Sequence, residues 1–311
     1  MKKTLTYNII RYCISIICLL FLTYKILSTD DIKLAFTQLY LIPVERYILL
    51  ILAVVLLPVN IFWESIKWQT ALSNIIGITL KESIKSVLWG YTGAFITPNS
   101  IGEYPTRSLN LPEGYRTKAV TMGFVGSLTQ TLVITLCGIV GLLFWIKEHT
   151  LNTHTTIALY CAIIIVSTIG ILFLINIKTA AICLQKSRLN FIGKIAQSLN
   201  YTTHSQTLKL FIISFLKYVT FSTQFMLVLI FLGIDIPLNR AAVDMSVFYL
   251  FLTYTPLINV FEVAVRSSIA IFIFGRYTDN PLYIVIGSTI FWLLNFCIPS
   301  LAGLLFVKKK V

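Results

Sequence analysis

Charge is what this chain has least of. Asp, Glu, Lys and Arg make up 12% of its 311 residues against 57% apolar ones, and a mean hydropathy of +0.85 excludes a soluble globular class. Histidine is scarcer still. The three present, His149, His154 and His204, lie in loops bounding apolar blocks with no second ligand at metal spacing, so no metal and no other cofactor is expected. The six cysteines, Cys13, Cys18, Cys137, Cys161, Cys183 and Cys297, contain no CxxC pair and fall mostly within apolar blocks. That pattern excludes a disulfide framework and leaves them as small apolar side chains. HExxH, GxSxG and Walker motifs are missing, and no polar loop is long enough for a catalytic domain of its own. Chemistry, if there is any, would have to use Glu103, Glu262 or Asp244 inside the membrane.

Acidic residues are outnumbered, 12 against 25 basic ones, for a net charge of +13. In a soluble protein this excess would suggest nucleic acid. Here Lys and Arg fall mainly between apolar blocks, where they set topology and meet anionic head groups. No basic stretch with interleaved aromatics forms a soluble face, so a nucleic-acid partner is not expected.

What remains is hydrophobicity in separate blocks of about 20 residues, the length that crosses about 30 Å of hydrocarbon as helix. Runs such as 48–59 do not alternate, which argues against a barrel. The fold class is all-α: a single integral membrane domain over 1–311, with about six transmembrane helices and two re-entrant hairpins. The spans are expected at about 7–27, 46–66, 118–146, 156–175, 208–232 and 282–307. Met1-Lys2-Lys3 ahead of the first resembles a signal peptide, but no Ala-x-Ala site follows, so a retained span is expected. Segment 30–47 reads as interfacial, and 178–204 as an amphipathic surface helix.

The hairpins, 80–111 and 239–275, are apolar segments broken by Pro and, in the first, Gly. Thr97-Pro98-Asn99-Ser100-Ile101-Gly102-Glu103-Tyr104-Pro105-Thr106-Arg107 returns in outline as Thr255-Pro256-Leu257-Ile258-Asn259-Val260-Phe261-Glu262-Val263-Ala264-Val265-Arg266. In each, a Thr-Pro precedes a Glu by five or six residues, and the Glu precedes an Arg by four. That spacing puts Glu and Arg on one helical face, in the favourable order for an ion pair. It predicts two short helices, each starting just after a proline break. Non-helical backbone at membrane depth is tolerated only where protein or a wet cavity surrounds it.

With the N-terminus cytoplasmic and neither hairpin crossing, the inside receives Lys2, Lys3, the basic segments 67–118 and 178–209, and the three lysines at 308–310. The outside receives Lys33, Arg46, Lys147, Arg240 and Arg276, in accord with the positive-inside rule. The hairpins then enter from opposite faces, and 46–147 and 208–307 become inverted repeats. Broken segments at matching places in inverted halves point to a transport site near the midplane.

If the hairpins meet, Glu103, Arg107, Glu262 and Arg266 converge in one polar chamber. Two arginines could hold a phosphate by charge-assisted forks, with the glutamates neutralising them when empty. Thr97, Thr255, Asn99, Asn259 and Gly102 sit at the breaks, and Asp244 is a further buried acid, a partner for an Arg. Simpler readings stand beside this: each Glu could merely hold its own bend together, and Glu64 with Lys67 could be an interfacial pair or the mouth of a site. Gly123, Gly126, Gly138 and Gly141 read as helix-packing positions.

Three stretches carry a family resemblance: Trp63-Glu64-Ser65-Ile66-Lys67-Trp68-Gln69-Thr70-Ala71-Leu72, residues 98–109 with Gly102, Glu103 and Arg107, and residues 256–266 with Glu262. Together they resemble the membrane region of bacterial lysylphosphatidylglycerol synthases, which also occurs alone in flippase-like proteins. The resemblance covers about residues 10–307. It implies a flippase-like module of the bacterial cytoplasmic membrane that handles an anionic phospholipid or a polyprenyl-linked lipid. Full-length synthases add a soluble domain for aminoacyl transfer from tRNA. This chain ends three lysines past its last span, so that domain is expected to be absent. Residues 257–261 also lack the glycines of the family pattern. The alternative reading is a membrane-embedded transferase, or an accessory subunit working with a separate lipid-modifying enzyme; membrane lipids are the expected partners in either.

Overall fold

The computed structural model describes residues 42–97, 100–148, 202–255 and 262–305, together with Leu20, Thr23 and Tyr24. The span expected at 156–175 and both Asn99 and Asn259 lie outside the described residues, as does most of the span expected at 7–27, of the interfacial segment expected at 30–47 and of the surface helix expected at 178–204. Among the described residues the fold is all-α.

After a 3-10 turn at Val44–Arg46, helix α1 runs over Tyr47–Leu72, α2 over Leu80–Ile96, α3 over Glu103–Ser108 and α4 over Glu113–Glu148. The second half contains α5 at His204–Phe231, α6 at Leu238–Tyr254 and α7 at Glu262–Phe274. It closes with a rod made of α8 at Pro281–Trp292, a π-helical turn at Leu293–Cys297 and α9 at Ile298–Leu304. Four of these stretches are long and apolar enough to cross a membrane: Val44–Leu72, Glu113–Lys147, His204–Phe231 and Pro281–Leu304. They correspond to four of the six expected spans. The chain is a membrane protein, and much of the outward surface of these helices is Val, Ile, Leu and Phe, as at Val54, Val55, Phe144, Ile212 and Leu301.

The two broken hairpins have unequal arms. α2 starts at a capping box, in which the Thr79 hydroxyl accepts from the Glu82 N–H while the Glu82 carboxylate accepts from the Thr79 N–H at 2.8 Å. It ends at Thr97, whose Oγ1 donates to the Gly93 carbonyl at 2.7 Å and accepts from the Gly102 N–H at 2.8 Å. One threonine hydroxyl thus joins the end of α2 to the start of α3 across the break. Ser100 next to it takes a left-handed φ of 54°. The returning arm α3 is only six residues long, much shorter than an even hairpin over 80–111 would require. It lies so close to α2 that a Cβ at Gly93 would stand 2.8 Å from the Gly102 carbonyl. In the second hairpin, Thr255 ends α6 in the same manner, its Oγ1 donating to the Phe251 carbonyl at 2.7 Å.

Packing crosses between the halves. α1 and α5 lie against each other, with the Gln224 amide of α5 donating to the Ala53 carbonyl at 2.8 Å, near the turn that Pro58 loosens. α2 packs on α9 and α6 on α4, so each hairpin leans on the closing span of the other half. Small residues sit at these contacts. A Cβ at Gly138 would meet Leu250 and at Gly303 would meet Leu88, while Gly126 is in ordinary contact with Lys67.

Candidate functional site

α1 carries Asn60, Glu64 and Lys67 at intervals of four and three, hence along one face. All three are buried, Glu64 at 2% exposure and Lys67 at 5%. Glu64 and Lys67, expected to pair, do so at 2.7 Å, and other helices cover both side chains.

Three cations converge on Glu64. Lys67 Nζ lies 2.7 Å from Oε2, Arg107 Nη1 of α3 donates to Oε1 at 2.7 Å, and Lys217 Nζ of α5 donates to Oε2. Arg107 Nη2 also pairs with Glu103 one turn earlier on α3. Lys67 reaches Gln130 of α4 at 3.4 Å, and Gln130 donates to the Ser214 carbonyl at 3.2 Å. Lys217 lies 13 residues into α5, roughly 20 Å from its start at the helical rise. The cluster is thus deep in the bundle.

Its local construction follows from glycine and aromatic placement. The Arg107 side chain runs along α2 where Gly90 leaves room; a Cβ there would stand 2.7 Å from Nε. The guanidinium sits between the Tyr104 ring at 5.2 Å and the Trp68 ring at 5.7 Å. Gly123 of α4 makes space for Tyr104. Two N–H donors remain without partners, Arg107 Nε and Trp68 Nε1, although both side chains are almost fully buried. Glu64, Lys67, Trp68, Tyr104 and Arg107 line a cavity of about 10 Å³, room for one water molecule. Among the described residues, three cations against two carboxylates leave one positive charge in excess.

The second hairpin is wired differently. Arg266 donates to Glu262 at 2.9 Å and lies 5.6 Å from the centre of the Phe291 ring. Its Nε is buried and unpartnered. Among the described residues no hydrogen bond or ion pair joins Glu103 or Arg107 to Glu262 or Arg266. Each pair closes on itself, and what meets the first is Glu64, Lys67 and Lys217 instead. Asp244, fully buried on α6, accepts from Arg276 Nη2 at 2.6 and 2.7 Å and from the Tyr277 hydroxyl at 2.6 Å. Burial and the Asp244 carboxylate push the Tyr277 hydroxyl up to about 12, which keeps it a donor. Thr97, Thr255 and Gly102 serve the breaks themselves. Asn60 donates to Asn295 in the π-helical turn at 2.7 Å, joining α1 to the closing rod.

Lys217 has no place in the sequence-level site, though it could have been found. A lone lysine in the middle of a long apolar span is costly unless partnered, and that alone marks it. The partner could not be read from the chain, since Glu64 lies 153 residues away.

Residues 8–303 match the family described as lysylphosphatidylglycerol synthase TM region. The chain belongs to this family. Membership in the lysylphosphatidylglycerol synthase TM region family makes it a membrane protein related to lipid modification. No curated protein and no solved structure matches the chain. A cavity of about 730 Å³ between α4, α5 and α6 is almost wholly apolar and shares no residue with the charged cluster. The cluster is the stronger site, because an apolar groove on a membrane protein is ordinary whereas an ionised cluster with Glu64, Lys67 and Arg107 all buried is not.

Proposed function

We propose that this protein translocates a lipid with an anionic head group, a phospholipid or a polyprenyl-linked lipid, across the bacterial cytoplasmic membrane. The termini lie on the cytoplasmic side, and the head group engages Arg107 and Lys67 while the tails stay in the bilayer. One observation carries the reading: a buried cluster with one unbalanced positive charge and two unpartnered N–H donors on a shared cavity. Such an excess is unfavourable in apolar surroundings, and an anion with several acceptor oxygens relieves it. The reading rests on the first hairpin alone and does not need all four hairpin charges to meet. The cavity is too small for a head group, so binding requires it to widen as the donors leave the cluster's own carboxylates. The inverted arrangement of 46–147 and 208–307 belongs to the same proposal: each hairpin leans on the other half's closing span, the packing that a rocking exchange between two faces calls for. A separate lipid-modifying enzyme would supply the substrate.

The test is redistribution of fluorescent phosphatidylglycerol in phosphatidylcholine vesicles containing the purified protein. Wild type is expected to exchange the label between leaflets, and Arg107→Gln to abolish exchange while still inserting. Normal exchange by Arg107→Gln overturns the proposal. Production of a modified lipid from an added donor, without exchange, would place the protein among membrane-embedded transferases instead.

A further inference from the structure

Glu64 occupies the place of a ligand. Its two oxygens share one negative charge and receive donors from three separate elements: Lys67 of α1, Arg107 of α3 and Lys217 of α5. A carboxylate held in this way is a chemical stand-in for a group with two equivalent anionic oxygens on one centre. A phosphodiester monoanion is that group. The cluster's charge balance agrees, since one added negative charge brings three cations level with three anions. The donors are also divided: Lys67 and Arg107 line the small cavity with Trp68, whereas Lys217 does not.

We infer that a phosphodiester monoanion takes Glu64's place on Arg107 and Lys67, Glu64 retreating onto Lys217, so that Glu64 is an internal competitor for the ligand site. The unpartnered N–H groups of Arg107 Nε and Trp68 Nε1 then gain acceptors from the same ligand. Because the carboxylate ties α1, α3 and α5 together, its release also removes one tie between the first hairpin and the two spans. This inference depends on the proposed function only for its ligand being a lipid.

The experiment is a titration of the purified protein in detergent with short-chain dioctanoyl-phosphatidylglycerol, followed by intrinsic tryptophan fluorescence. Glycerophosphoglycerol and inorganic phosphate serve as competitors. Glu64→Gln removes the competitor and is expected to bind about tenfold more tightly, the scale of one charge-assisted hydrogen bond. Removing any acid from the cluster makes it more positive, so Glu64→Asp is the sharper variant: it keeps the charge but withdraws the carboxylate, and it too should tighten binding. Glu103→Gln, which changes the net charge equally but frees a different guanidinium nitrogen, should tighten less.

Equal tightening by Glu103→Gln and Glu64→Gln, or none by Glu64→Asp, overturns the competitor role. Weaker lipid binding by Glu64→Gln does so as well, because it would make Glu64 part of the ligand's support. If inorganic phosphate competes as well as the lipid does, the site serves a free anion; the lipid reading then falls while Glu64's role stands. Binding by wild type that Arg107→Gln does not weaken removes the site altogether.

Discussion

The two hairpins share a sequence pattern and differ in what their ion pairs touch. Glu103–Arg107 is bound into a five-membered cluster by residues from two long spans, and Arg107 is only 1% exposed. Among the described residues Glu262–Arg266 pairs with no further charge, and Arg266 rests on an aromatic ring. The second hairpin spends its strongest polar contact elsewhere, at the Asp244 clasp between α6 and the turn after α7. Spacing four residues apart therefore specifies a pair, not a site. A site arises where neighbouring spans bring charges the pair cannot balance.

That contrast can be broken most forcefully at Glu64. Replacing it with Ala leaves Lys67, Arg107 and Lys217, the first two buried, without their common carboxylate, and about 3–5 kcal/mol of stability should be lost. Glu262→Ala removes one partner of a single, partly exposed pair and should cost about 1–2 kcal/mol. Thermal unfolding of both variants in the same detergent measures the difference; equal losses would mean that the hairpins are energetically alike.

Function sharpens the comparison next. Arg107→Gln should abolish lipid exchange, whereas Arg266→Gln should lower it by less than about tenfold, having one hydrogen-bonded charge to lose. Equal abolition by both would return the argument to a single chamber shared by the hairpins.

A smaller effect is expected at the clasp. Asp244→Asn weakens hydrogen bonds to a charged partner and should cost about 1.5–3 kcal/mol. Hydrogen exchange should rise in α6 and around residues 275–277 while α3 stays protected. Faster exchange in α3 as well would show that the two hairpins are coupled.

The smallest effects concern close packing. Gly93→Ala brings a Cβ against the Gly102 backbone, where nothing flexible can yield, and should cost about 1–3 kcal/mol. Gly126→Ala, with only ordinary contact to Lys67, should change stability by less than about 0.5 kcal/mol. Similar melting temperatures for the two would indicate that the tight turn of the first hairpin relaxes freely.

Much of the architecture was legible because membrane helices announce themselves locally. Apolar length, the Thr-Pro breaks and the Glu-to-Arg interval lie within short windows of chain, and each has a direct physical consequence in a bilayer. From these alone followed the all-α class, four spans found among the described residues and both ion pairs; the family followed from the resemblance of residues 63–72, 98–109 and 256–266. What the chain could not disclose was which charges meet. Glu64 had the look of an interfacial acid beside Trp63 and Trp68, and Lys217 stood unremarked among apolar neighbours, since pairing across 153 residues leaves no periodic trace.

The sequence by itself determined that a few ionised groups must lie in an apolar medium and therefore must be partnered, because desolvation penalises any left alone. Only the tertiary structure decided the partners. The packing of α1 against α5 and the return of α3 beside α2 set the Glu64 carboxylate against both Lys217 and Arg107, which among the described residues leaves the first hairpin with a positive charge to spare and the second with none.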